Sequence, residues 1–198
     1  MAILAVNAGS SSLKFSLHPL LDGQVQSSVL SGNIEGLEPG GQPEMALTFA
    51  GQPRREAVSG PGESPFLQAL DRLRALLASL EGAPPITAVA HRVVHGGEDF
   101  RDSVLVTDAV LERLARLNSL APLHQPHNLA GIRSFRQAFP ALPQVACFDT
   151  AFHAGLSEVA SAFALPTALT EQGVRRYGFH GLSYHYIMDA LLERSSRA

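Results

Sequence analysis

Met1-Ala-Ile-Leu-Ala-Val-Asn7-Ala-Gly9-Ser10-Ser-Ser12-Leu-Lys14-Phe15-Ser-Leu17 opens the chain, and its pattern decides the fold. An apolar run over residues 1–6 stops at a turn-rich break, residues 7–12. Residues 12–17 then alternate polar and apolar, the period of a strand. Leu13, Phe15 and Leu17 fall on one face, and Ser12, Lys14 and Ser16 on the other. Strand, Gly/Ser loop, strand is a hairpin with a polar tip. Gly9 is expected to let the backbone turn so that N–H groups converge on an anion. Ser10 and Ser12 add hydroxyl donors, and Lys14 adds charge on the same face. Asn7 offers a carbonyl oxygen suited to Mg²⁺, directly or through water. The glycine-lysine P-loop signature is absent and the loop leads into a strand, so a phosphate loop here is of another architecture. The alternative is a serine-rich surface turn.

One compositional fact favours the phosphate loop. Of fifteen basic residues fourteen are arginine, and the exception is Lys14. A compact point charge in place of a planar fork is the expected need at that position, the alternative being a lysine kept by chance.

Working outward, residues 24–36 and 44–58 are expected to be strands and 59–65 a Pro/Gly-rich loop. A helix should start at Ser64 as N-cap with Pro65 at its first position. Phe66, Leu70, Leu73, Leu77 and Leu80 form its apolar stripe. Residues 86–94 and 144–148 read as apolar strands, and 108–118 and 126–139 as helices. Strands followed by alternating helices and strands imply a mixed sheet with helices packed on it, an α/β fold. The first domain is expected to close near residue 150, with residues 151–198 beginning a second.

Four further segments carry chemistry. In His91-Arg-Val-Val-His-Gly-Gly97 the two histidines invite a zinc reading. On a strand they stand ~13 Å apart at ~3.3 Å per residue, too far to share one metal. Arg92, a guanidinium in an apolar strand, wants a carboxylate or phosphate partner, and a structural ion pair is equally consistent. Ala121-Pro-Leu-His124-Gln-Pro-His127 holds His124 between prolines. Cys147-Phe-Asp149-Thr-Ala-Phe-His153 places Asp149 at a strand's carboxyl end, where open α/β sheets put functional groups. Arg175-Arg-Tyr-Gly-Phe179-His180-Gly181 holds His180 between glycines.

Composition narrows the function class. A net charge of −3 without a basic block argues against nucleic acid. No apolar run approaches the ~20 residues of a membrane span. The single Cys147 allows no disulfide framework, so a cytoplasmic setting is expected.

Taken together, residues 7–15, 91–97, 121–124, 148–153 and 175–181 resemble the acetate kinase family, in family order. The resemblance implies an actin-like, sugar-kinase (ribonuclease H-like) fold and a cytoplasmic homodimer. It implies reversible, Mg²⁺-dependent transfer of the ATP terminal phosphate to acetate, giving acetyl phosphate and ADP. By position, Asn7 corresponds to a Mg²⁺ ligand and Ser10, Ser12 and Lys14 to phosphate contacts. Arg92 corresponds to the substrate arginine, with Val94, Leu123 and Phe179 as a small acyl pocket. Asp149 takes the active-site carboxylate position, and His124 and His180 match histidines that steady the transferring phosphoryl group. Bound acetate is already ionised, so Asp149 is expected to act through Mg²⁺, water or Arg92 and not as a base. Two departures stand out: Leu182-Ser-Tyr184 replaces Thr-Ser-His, leaving Tyr184 and His185 without a role. Gln125-Pro-His127 replaces Asn-Pro-Ala, an exchange expected to be without consequence. The resemblance places the adenosine site, a second catalytic arginine and a Mg²⁺-holding glutamate outside these residues. On that basis this chain is expected to be inactive or weakly active alone. The alternatives are a propionate or butyrate kinase, or a non-catalytic module that binds acyl phosphate or another anion.

Overall fold

The amino-terminal hairpin forms in the expected register. In a computed structural model that describes residues 1–58 and 64–195, β1 (Ala2–Ala8) and β2 (Ser12–Leu21) pair antiparallel, with Asn7 opposite Lys14 and Ala8 opposite Leu13. Leu13, Phe15 and Leu17 are buried while Lys14 is exposed, as the alternation requires. Residues 24–36 divide into β3 (Gln24–Val25) and β4 (Leu30–Glu35). The single strand expected over 44–58 is a hairpin, β5 (Glu44–Phe49) and β6 (Gln52–Ala57). Ala50 and Gly51 form its two-residue turn with φ of 47° and 79°, the positive pair that tight hairpins use. Most of the loop at 59–65 and the tail beyond Ser195 lie outside the described residues.

The second half of the sheet is built differently. β7 (Ile86–Val93) runs parallel to β1, and β9 (Gln144–Phe148) parallel to β7. A two-residue strand not foreseen from the sequence, β8 (Val104–Leu105), closes that edge antiparallel to β9. The order β6-β5-β4-β2-β1-β7-β9-β8 makes a mixed sheet, antiparallel at both flanks and parallel at its centre. The fold is α/β.

Helices α1 (Pro65–Ser79) and α3 (Gln125–Ala138) cover one face of that sheet, and α2 (Asp108–Ala115) packs beside α3. Ser64 caps α1 by accepting from the Leu67 amide at 3.3 Å, and Thr107 caps α2 by accepting from Val110 at 3.2 Å. Leu4, Leu13, Leu17, Ile34, Leu73 and Phe135 lie in the larger core, under α1 and α3. Val93, Phe148, Leu114, Leu129 and Ile132 form a second under α2 and α3. After β9 come a 3-10 turn (Ala151–His153), two short helices, α4 (Glu158–Ser161) and α5 (Thr167–Glu171), and then α6 (Gly181–Arg194). Tyr186, Ile187, Met188, Leu191 and Leu192 of α6 are exposed.

Period two also separates His91 from Arg92. His91 turns inward, edge-on to Phe135 at 5.4 Å, and its Nε2–H donates to Gln144 Oε1 at 2.5 Å. Burial lowers its pKa to about 4, with the Gln144 bond opposing the shift. The unfolded chain therefore takes up this proton first. His91 contributes stability that is complete above its ordinary value of 6.5 and is lost as pH falls toward 4. The urea-unfolding free energy should drop by roughly 3 kcal/mol more over that interval in the wild type than in His91→Gln. Equal pH slopes would contradict a neutral buried His91.

Gly131 makes a second prediction. A Cβ there would stand 2.6 Å from that of Ala8, so α3 approaches β1 only because this position is bare. Gly→Ala inside a helix ordinarily stabilises by roughly 0.5–1 kcal/mol. Here the overlap should reverse the sign, with Gly131→Ala destabilising by about 1–3 kcal/mol in thermal unfolding.

Candidate active site

Asn7, Arg92 and Asp149 stand at the carboxyl ends of three neighbouring parallel strands, β1, β7 and β9, the edge where open α/β sheets bind ligands. Asp149 is 2% exposed, and the Arg92 side chain 34%. Arg92 Nε donates to both carboxylate oxygens at 3.1 and 3.2 Å, and Nη2 reaches Oδ2 at 2.5 Å. Its Nη1 lies 3.4 Å from Asn7 Oδ1. Of the partners open to Arg92 from sequence, the carboxylate is thus present in the chain itself. The guanidinium is gripped along one edge, and its Nη1 turns to Asn7.

One open hollow of about 380 Å³ has a largely apolar wall, with Asn7, Lys14 and Arg92 set among residues such as Ala5, Ala90 and Leu182. Asn7, Lys14 and Arg92, from three strands and two sequence motifs, therefore share one space. Ser12 begins β2 and Ser10 is exposed on the loop, and neither lines the cavity. Gly9 does something other than expected. Its φ is not left-handed, and an added Cβ would make ordinary contact, 3.4 Å from Ser12 O. Its N–H is committed to Ser12 O at 2.8 Å. The turn itself does not demand glycine.

His124 and His180 both occupy N-cap positions, of α3 and α6, without forming side-chain caps. Helix N-termini favour negative charge, so both imidazoles stand where an anion is stabilised. His180 adopts φ 58°, a left-handed conformation uncommon outside glycine, asparagine and a few others. Gly181 follows with its N–H on Asp149 O at 2.8 Å, and a Cβ there would meet the same oxygen at 2.3 Å. The two helix ends are tied to different strands, α6 to β9 and α3 to β1 and β7.

The acyl-pocket residues are not enclosed by this chain. Val94 is half-buried, Phe179 rests against the His95 ring at 5.6 Å, and Leu123 is 75% exposed. Beneath them lies a frame that the sequence did not disclose. His95 is buried against Tyr177 at 4.5 Å, burial lowers its pKa, and its Nδ1 accepts from the Gly97 amide at 2.9 Å. Thr150 Oγ1 accepts from the Gly96 amide at 3.0 Å. His153 Nε2 bonds Phe179 O at 3.0 Å, and Arg175 pairs with Glu98, tying residues 175–181 to the turn after β7. Tyr184 stacks on Phe152 at 5.8 Å, while His185 lies 3.7 Å from Asp189. Gln125, whose exchange was expected to be neutral, is fully buried and bonds both backbone groups of His95. Glutamine next to proline at a helix start gives no sequence signal for such burial.

Comparison with known proteins shows the family of the chain. The sequence matches the acetokinase family over residues 2–197. It is 45% identical over 199 residues to the acetate kinase of Rhizobium meliloti, covering 100% of this chain and 50% of that protein. The fold matches the structure of a propionate kinase from Francisella tularensis subsp. tularensis SCHU S4 with a TM-score of 0.82. It matches Porphyromonas gingivalis acetate kinase at 0.81. Both are 34% identical, over 97% of this chain and 48% of theirs. The chain spans about half the length of the curated relatives it matches. It belongs to the acetokinase family.

Proposed function

We propose that this chain carries the acyl- and phosphate-binding side of an acetate kinase, in which acetate attacks the terminal phosphate of ATP to give acetyl phosphate and ADP, reversibly. The observation that carries this reading is the half-exposed Arg92, braced by buried Asp149 and sharing a cavity with Asn7 and Lys14. Acetate is ionised at neutral pH, so the reaction needs no base and must instead bring two anions together. Positive charge and alignment are what such a transfer requires from the protein. Arg92 supplies a fork already aimed by Asp149, and Lys14 a compact point charge. Asp149 acts as the brace of Arg92. His124 and His180 stand at helix N-termini, suited to donate to phosphoryl oxygens, and Ser10 and Ser12 are hydroxyl donors on the loop.

The residues present fit Mg²⁺. Asn7 Oδ1 is a hard oxygen donor lining the cavity, and the described residues hold no group of three or more His, Cys, Asp or Glu side chains that could bind a metal ion. Few protein oxygens, completed by phosphate and water, is the usual arrangement for this ion. Asn7 would hold it directly or through water, while Asp149 stays buried behind it with both oxygens on Arg92. When bound, it supplies positive charge to the ATP phosphates.

In this reading residues 1–150 form the substrate domain and 151–198 begin a nucleotide-binding one, whose α6 exposes the apolar side chains such a domain would cover. A homodimer and a cytoplasmic setting belong to the same reading; no helix among the described residues is long and apolar enough to cross a membrane. Acyl length is left weakly selected, because Leu123 is exposed and one methylene is worth only ~1–3 kcal/mol. Propionyl phosphate should therefore bind as well.

The test is titration of the chain with acetyl phosphate and Mg²⁺, followed by phosphorus NMR. Arg92→Ala should weaken binding by at least about tenfold. Equal binding by both proteins, or by neither, would overturn the assignment.

A further inference from the structure

The β1–β7 ladder ends at the row Val6–His91. Beyond it no ladder between these two strands sets the spacing of residues 8–12 on one side and residues 94–97 on the other. Two buried side-chain amides from the first turn of α3 stand in that gap. Asn128 Nδ2 donates to Ala8 O at 2.7 Å, and its Oδ1 accepts from the Val94 amide at 3.0 Å. Gln125 Oε1 accepts from the His95 amide at 3.2 Å, and its Nε2 donates to His95 O at 2.9 Å. Each amide thus satisfies one donor and one acceptor, as an added strand residue would. Gly131, one turn further on, lets the helix close on Ala8. The same helix begins at His124.

We propose that Gln125 and Asn128 are positioning residues that set the gap between the anion loop, residues 8–12, and the strand end that bears Arg92 and Val94. The proposal rests on the cavity being an anion site. A side chain that only staples α3 to the sheet would affect stability and leave the loop's geometry and ligand response alone. One that sets the gap must change both when its bonding is altered without loss of the fold. Asn128 is the more telling of the two, because it alone spans both strands. In Asn128→Asp the size is kept, the bond from Val94 survives, and the donor facing Ala8 O becomes an acceptor. Asn128→Ser is a milder variant that removes the span.

The experiment uses the whole chain, labelled with ¹⁵N, and acetyl phosphate with Mg²⁺ as the probe. Gln137→Ala, on the exposed end of α3, is the control. Core amides such as those of Leu4 and Val89 report that each variant folds. In folded Asn128→Asp and Asn128→Ser the amide signals of residues 9–12 should move before any ligand is added. The dissociation constant should rise about tenfold, and the control should match the wild type on both counts. Wild-type loop signals and affinity in a folded Asn128 variant would overturn the proposal. So would unfolding of both variants, which would make the clamp a matter of general stability. If the wild type binds no acetyl phosphate, the functional assignment fails, and the clamp is then judged by the ligand-free loop signals alone.

Discussion

A buried carboxylate held against a half-exposed guanidinium is the constraint on which the site depends. Removing either ion from water costs several kcal/mol unless the partner satisfies it fully. Asp149 meets that condition through Arg92, with three nitrogen–oxygen contacts between 2.5 and 3.2 Å. Arg92 does not spend all its donors in return. The edge of the guanidinium away from Asp149 turns to Asn7, and both residues line one cavity, an arrangement present without any ligand. Preorganisation of this kind spares the binding of an anion the cost of ordering a flexible cation.

The architecture follows from where that pair must sit. Asp149 and Arg92 can meet because β7 and β9 are parallel neighbours whose ends lie at one edge of the sheet. β1 joins the same edge from the other side and delivers Asn7, while its hairpin partner β2 returns Lys14 directly opposite. An antiparallel sheet throughout would have sent the loop and the ion pair to opposite ends. The helices then lock the edge. α6 starts on the Asp149 carbonyl, and α3 starts on the backbone of β1 and β7.

Much of this is visible in the sequence wherever a residue conflicts with its surroundings. Arg92 stands out in an apolar strand, Lys14 is a lone lysine on a polar strand face, and Asp149 ends an apolar run. The hairpin follows from strict alternation over residues 12–17. The break at Ala50 is invisible because alanine is not a residue that ordinarily marks a positive φ. β8 is two residues long and exists only because β9 offers it an edge. Gln125 and Asn128 read as polar residues on a helix's first turn. Their burial depends on partners 30 and 120 positions away, which no local pattern encodes. The acyl pocket expected of Val94, Leu123 and Phe179 is the least legible part, since the three side chains come from separate segments and Leu123 stays exposed.

The central claim is that Asp149 works by aiming Arg92. It is tested most directly by a double-mutant cycle of Arg92→Ala and Asp149→Asn, read as acetyl phosphate affinity in the presence of Mg²⁺. If Asp149 acts through Arg92, each single change weakens binding and the double variant binds no more weakly than Arg92→Ala alone. Additive losses would contradict the account and assign Asp149 a contact of its own.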